Sequence, residues 1–216
     1  MKRVFISGST RGIGFSLAKR FLSSGKYIVT VHGRERRGID DLAILFGLTN
    51  LGNVEYLAMD LNNLDDVESF NTEDYYDIFI NNAGIYSSDS TGKLINVNLT
   101  SSIILTEKFY ESMKHQGGTI ININSLAGIF PNFKERSYCA TKYGLDGFFK
   151  SLQAESFKDN IDVIQYYLGA TSTDMTRHRE DWQKLIDPEE IADKIYSDLS
   201  LSSFIPISQV IKRKKY

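Results

Sequence analysis

Tyr138 and Lys142 stand four residues apart, so on a helix they share a face and set an ammonium beside a phenol. An ordinary phenol titrates at about 10, too high for proton transfer near neutrality unless a cation favours its phenolate. The pair therefore reads as a tyrosine acid/base with a lysine partner. Ser125, thirteen residues before Tyr138, adds a hydroxyl suited to hydrogen-bonding an oxygen on which charge develops. The Tyr-x-x-x-Lys spacing is weak evidence taken alone, because among twelve tyrosines a second pair occurs at Tyr110 and Lys114. That pair falls late in a helical stretch, away from any strand end, and reads as helix packing.

A second constellation is Ser7-Gly8-Ser9-Thr10-Arg11-Gly12-Ile13-Gly14, glycines spaced GxxxGxG between an apolar run and an amphipathic stretch. A turn without Cβ atoms lets backbone N–H groups approach a pyrophosphate, and the helix that follows offers unsatisfied donors. The same glycines alone also describe a tight strand-to-helix turn. His32, His115 and His178 are scattered and Cys139 is the only cysteine, so no metal site is expected, no disulfide can form within the chain, and Cys139 is given no role.

These residues need a frame that brings strand ends together. Val4 to Ile6, Tyr27 to Val31, Val54 to Met59, Ile78 to Ile80, Thr119 to Ile123, Asp162 to Leu168 and Ser208 to Lys212 read as strands. Helical patterns run from Ile13 to Leu22, Ile39 to Phe46, Leu64 to Phe70, Lys93 to Lys114, Ser137 to about Lys158, and from Pro188 onward. Strand and helix alternate, which predicts an α/β fold: a doubly wound, Rossmann-type parallel sheet of about seven strands in a single domain over residues 1–216. The 216 residues are 42% hydrophobic and 24% charged with net charge −2, which argues against nucleic acid as a partner. No apolar run reaches the roughly 18 residues of a membrane span, and Met1 to Ile6 turns to Ser and Gly before a secretory core develops, so a cytoplasmic protein is expected. The basic run Lys212 to Lys215 reads as a solvated end.

In order and spacing, Gly8 to Gly14, Asn82-Ala83-Gly84, Ser125 and Tyr138-Cys139-Ala140-Thr141-Lys142 resemble the short-chain dehydrogenase/reductase family. Asp60, Asn98 in Val-Asn-Leu and Thr173 in Thr-Asp-Met match further family positions, so the resemblance runs from Val4 to about Thr176. It implies a hydride-transferring oxidoreductase acting on a small carbonyl/alcohol pair, with 3-oxoacyl and carrier-bound substrates within its range. Tyr138 would be the acid/base, Ser125 the carbonyl partner, and Lys142 the phenol's partner and a ribose ligand. Asn98 would hold a water relay to Lys142, Thr173 would contact the carboxamide, and Asp60 would meet the adenine amino group. The resemblance places Gly8, Ser9, Thr10, Arg11, Gly12, Ile13, Gly14, Arg34, Leu61, Asn82, Ala83, Gly84, Gly169 and Thr171 along the cofactor too.

NADP(H) is expected because Val31-His32-Gly33-Arg34 brings no carboxylate to the end of the second strand. Gly33 leaves room there, and Arg11 and Arg34 would meet a 2′-phosphate. A homodimer or homotetramer is expected through the two long helices, where Ala140, Gly144, Gly147, Phe148 and Leu152 exceed what one sheet can cover. Phe130, Phe133, Tyr167, Met175 and Trp182 are candidates for an apolar pocket or for core. Lys134, Arg136, Arg177 and Arg179 either ring its mouth or are solvated. Three departures from the family stand out: only thirteen residues between Gly84 and Asn98, Leu168 in place of a proline before Gly169, and a short segment from Thr176 to Ile186. The competing reading is a nucleotide-sensing or structural binding protein of the same fold.

Overall fold

Runs rich in Val, Ile, Phe and Tyr become strands covered on both faces, because each crossover lays a helix against the sheet. The computed structural model describes residues 1–47, 49, 52–72, 75–86, 90–200 and 207–213. Its strands are β1 (Lys2–Ile6), β2 (Tyr27–Gly33), β3 (Val54–Ala58), β4 (Ile78–Asn81), β5 (Gly118–Ser125), β6 (Ile161–Leu168) and β7 (Ser208–Ile211). They form one sheet, every pairing parallel, in the order β3-β2-β1-β4-β5-β6-β7. The order reverses between β1 and β4, and a crevice at the carboxyl ends of the strands opens at such a switch point.

The helices are α1 (Gly12–Ser23), α2 (Ile39–Phe46), α3 (Leu64–Ser69), α4 (Thr91–Ile95), α5 (Ser101–Met113), α6 (Arg136–Ser156) and α7 (Pro188–Leu199). One face of the sheet buries Leu17 and Phe21 of α1, Leu42 of α2 and Ile195 of α7 against Val4, Val29, Ile121 and Ile164. The other buries Phe109 and Met113 of α5 and Leu145 and Phe149 of α6 against Phe5, Phe79 and Val163. Phe109 stacks on Phe79 with ring centroids 4.1 Å apart. α7 opens as its sequence predicts, with Pro188 in the first turn and the Asp187 side chain accepting the Glu189 N–H at 2.8 Å.

The helix expected over Lys93 to Lys114 is divided. α4 ends at Ile95, a π-helical stretch occupies Asn96–Thr100, and α5 follows. A π-bulge inserts one residue into the helical ladder, which a 3.6-residue pattern cannot register. Tyr110 is packing, as its place late in α5 predicts: its ring is buried, its hydroxyl bonds the Asp159 carboxylate, and Lys114 pairs with Glu111. At the C-terminal basic run, Arg213 pairs with Asp181 at 2.9 Å, while Lys214 and Lys215 lie outside the described residues. Among the described residues no helix is long and apolar enough to cross a membrane.

Candidate active site

The glycine turn joins β1 to α1 and is tied to the end of β4. The Ser7 hydroxyl accepts the N–H groups of Asn82 and Ala83 at 2.9 and 3.0 Å, and Asn82 Nδ2 donates to the carbonyls of Ser7 and Gly8. Gly8 has φ +63°, and a Cβ on it would meet Ala83 Cα at 2.9 Å. At Gly14 a Cβ would lie 2.4 Å from both Gly8 O and Asn82 Nδ2, so only glycine closes this turn. α1 begins with Arg11 as its N-cap and no side-chain cap, leaving its first-turn N–H groups for an anion.

Farther along the strand ends, the turn after β3 holds Asp60 and Leu61. Asp60 Oδ1 accepts the Asn62 N–H at 3.0 Å, and Ser101 bonds the Leu61 carbonyl. The segment after β6 crosses over the glycine turn, where Thr173 Cγ2 lies 3.4 Å from the Cβ position of Gly12. That segment is held by the Trp182 indole N–H on Thr173 O at 3.0 Å and by a bridge from Thr171 to Ile186. Gly169 is pinned to β7 through its N–H on Ile211 O.

Asn98 sits in the π-helical stretch, fully buried, and its amide pairs reciprocally with the backbone of Ile85 at 2.7 Å in both directions. Its third contact is Thr141 Oγ1 at 3.4 Å, one residue before Lys142. A Cβ on Gly84 would stand 3.4 Å from Asn98 Oδ1 and 3.8 Å from Lys142 Nζ, so the end of β4, the π-stretch and α6 meet at one point. Lys142 is 5% exposed and its Nζ lies 5.8 Å from the Tyr138 ring centroid; among the described residues it has no hydrogen-bond acceptor. Ser125, at the end of β5, accepts the Ala127 N–H at 3.1 Å, and its hydroxyl is near enough to the Tyr138 phenol to act on its acidity.

Electrostatics at this point differ from the expectation of a lysine-lowered phenol. Burial pushes the Tyr138 phenol above its ordinary value, and the neighbouring Ser125 hydroxyl pulls the other way. Burial also brings Lys142 down to about 8. The phenol therefore holds its proton at neutral pH, the state a general acid needs.

Other expectations are corrected. The space over Gly33 is filled: a Cβ there would meet the Tyr56 hydroxyl at 2.5 Å and Thr10 Cγ2 at 2.7 Å, and that hydroxyl is held by Glu35 O at 2.6 Å. Tyr167 is core, its hydroxyl on Asp146 at 2.6 Å, whereas Phe130, Phe133 and Met175 are exposed. Arg179 pairs with Asp181 through two nitrogens, and Arg177 lies 4.4 Å over the Trp182 ring. On α6, Leu152 and Phe148 pack into the chain's own core and Gly144 faces Leu99. The apolar surface left on that helix is narrower than the sequence implied, with Tyr143 and an open Gly147 on it.

Three side chains not singled out for the site border it. Tyr86, two residues past Gly84, packs edge-on against Tyr138 at 5.1 Å and donates to Glu135 Oε1 at 2.5 Å. Glu135 is three residues before Tyr138, a spacing that could have been noticed. His32, on β2, accepts the Gly8 N–H from the turn after β1, and no local spacing announces that contact.

The family model described as short chain dehydrogenase matches residues 2–184. The 3-oxoacyl-[acyl-carrier-protein] reductase FabG of Aquifex aeolicus (strain VF5) is 31% identical over 212 residues, covering 92% of this chain and 82% of that protein. The acetoacetyl-CoA reductase of Acinetobacter sp. (strain RA3849) is 31% identical over 208 residues, covering 87% and 82%. Among solved structures, a short-chain dehydrogenase from Sphingobium yanoikuyae in complex with NADPH superposes with TM-score 0.82 at 25% identity, covering 97% of this chain and 87% of that one. A 4-hydroxyisoleucine dehydrogenase complexed with NADH superposes with TM-score 0.83 at 25% identity, covering 99% and 98%.

Proposed function

Because the chain belongs to the short-chain dehydrogenase family of oxidoreductases, we propose that it is an NADP(H)-dependent oxidoreductase that transfers a hydride between the nicotinamide and a carbonyl/alcohol pair of 3-oxoacyl type. The observation that carries this reading is Lys142, a lysine only 5% exposed and with no hydrogen-bond acceptor among the described residues, held beside the Tyr138 ring with the Ser125 hydroxyl nearby. A buried cation is costly unless something polar meets it, and the hydroxyls of a ribose fit that need. The glycine turn and the open N-terminus of α1 fit a pyrophosphate.

When bound, a nicotinamide supplies the hydride. Ser125 hydrogen-bonds the carbonyl oxygen and Tyr138 hands it the phenolic proton as negative charge develops there. Lys142 orients the ribose and offsets the charge left on Tyr138, while Asn98 holds the backbone at Ile85 beside the site. The relatives named for 3-oxoacyl-carrier and acetoacetyl-CoA substrates favour a β-keto thioester. A panel of 3-oxoacyl thioesters and simple ketones, followed by NADPH absorbance, tests the reading. Turnover of a thioester supports it; tight dinucleotide binding with no turnover of any member would leave a sensing protein in its place.

The preference for NADP(H) rests on Arg11 and Arg34. Thr10 lies close to Gly33, which brings the chain just before Arg11 near the chain just before Arg34. Val31-His32-Gly33-Arg34 at the end of β2 also carries no carboxylate for the ribose hydroxyls of NAD. Two charge-assisted hydrogen bonds at roughly 1.5–3 kcal/mol each, discounted for exposure, favour the phosphorylated cofactor by at least about tenfold. The ratio of kcat/KM for NADPH and NADH is expected to fall in Arg34→Ala; a wild-type ratio near one, unmoved by the substitution, refutes the preference.

We also propose a homodimer or homotetramer built on the surfaces of α5 and α6, with Tyr143 and Phe157 exposed on or just past α6. Light scattering at micromolar concentration is expected to show a multiple of 24.5 kDa, and a particle of 24.5 kDa alone rules the assembly out.

A further inference from the structure

The imidazole of His32 closes β2 beneath the glycine turn and is 2% exposed. Its Nδ1 accepts the Gly8 N–H at 2.9 Å, and its Nε2 lies 3.1 Å from Met59 O. A backbone N–H can only donate, so Nδ1 carries no proton, and Nε2–H must be the donor to Met59 O. Burial keeps the ring neutral, its pKa pushed down to about 4 against the opposing pull of the Met59 carbonyl and the Asp60 carboxylate.

Backbone bonds reinforce the contact. His32 N–H donates to Ser9 Oγ and Ser9 N–H to His32 O, both at 2.9 Å. Gly8 is thus clamped at both ends of its residue, by His32 at its N–H and by Asn82 at its carbonyl. The other side of the ring holds the carbonyl of Met59, in the peptide that leads into Asp60 and its turn.

We infer that His32 is a positioning residue for the dinucleotide, one neutral ring stapling the pyrophosphate-side turn at Gly8 to the adenine-side turn at Asp60 and so setting the separation of the two halves of the cleft. The role rests on the glycine turn being the nucleotide site. A ring that merely filled the core would need neither the fixed tautomer nor a partner on each of these two turns.

Side chains that keep one arm of the staple separate the two accounts. Asn carries its carbonyl oxygen where the ring carries Nδ1, so His32→Asn keeps the acceptor for Gly8 and loses Met59. His32→Gln reaches Met59 O and abandons Gly8. Titration with NADPH and with adenosine 2′,5′-bisphosphate, which lacks the pyrophosphate, is the measurement. His32→Gln is expected to weaken NADPH by about tenfold and leave the bisphosphate nearly as in wild type, since a lost buried acceptor costs on that order. His32→Asn is expected to weaken both ligands by a similar factor. If both variants shift the two ligands alike, or if ¹⁵N spectra of the wild type place the proton on Nδ1, the staple is refuted. If the wild type binds neither NADPH nor NADH, the cofactor reading itself fails and the positioning role goes with it; the ¹⁵N spectrum still reports the tautomer on its own.

Discussion

Tyr138→Phe is expected to lower kcat by about 10²–10⁴-fold, the usual range for loss of a general acid, with dinucleotide affinity held within about threefold. The substitution removes the transferable proton, while the ring keeps its edge contact with Tyr86 and its place beside Lys142. Tyr110→Phe is the internal control: its hydroxyl bonds Asp159 in the opposite part of the molecule from the strand ends, so it affects stability and leaves turnover nearly unchanged. Initial rates under saturating NADPH decide the matter. Retention of more than half the wild-type kcat in Tyr138→Phe would remove Tyr138 from the mechanism.

The second large effect is expected at a single methyl group. Gly14→Ala places a Cβ 2.4 Å from Gly8 O and from Asn82 Nδ2 and 2.9 Å from Ser9 Cα, two of the three being backbone. Neither the turn nor the start of α1 can yield without breaking the Asn82 bonds to Ser7 and Gly8. A loss of about 3 kcal/mol or more in unfolding free energy is expected, together with loss of dinucleotide binding. Among the described residues, Gly92→Ala in α4 meets only Ser90 Oγ, at an ordinary 3.5 Å, and should stabilise by about 0.5–1 kcal/mol through helix propensity. Denaturant midpoints for the two variants test the argument; a Gly14→Ala protein as stable as wild type would show that the turn tolerates a side chain.

The elements that sequence reasoning located well are those whose information is local. β2, β5 and β6 are β-branched runs, α2 and α7 carry their stop and start residues beside them, and the alternation of the two types dictates a parallel sheet. The π-helical stretch at Asn96–Thr100 was not legible, because one inserted residue changes the register of a helix without changing its apolar pattern. The same stretch turns the Asn98 amide onto the backbone of Ile85, a partner thirteen residues away.

The candidate site divides along the same line. Residue type and spacing were enough to single out Tyr138 and Lys142 on one helical face, the glycines that a tight turn requires, and Ser125 at a strand end. Tertiary structure alone decided what those residues experience. Burial holds the Tyr138 phenol up and brings Lys142 down, where the sequence, blind to desolvation, implied only a cation favouring the phenolate. Gly33 looked like open space because a sequence shows a missing side chain and not the Tyr56 hydroxyl, from a neighbouring strand, that fills the gap. His32 looked like a stray histidine until the pairing of β1 with β2 set its ring under Gly8. Covalent order carries the local conformational preferences and the chemical groups, while the electrostatic state of a group depends on neighbours that only the closed sheet brings within reach.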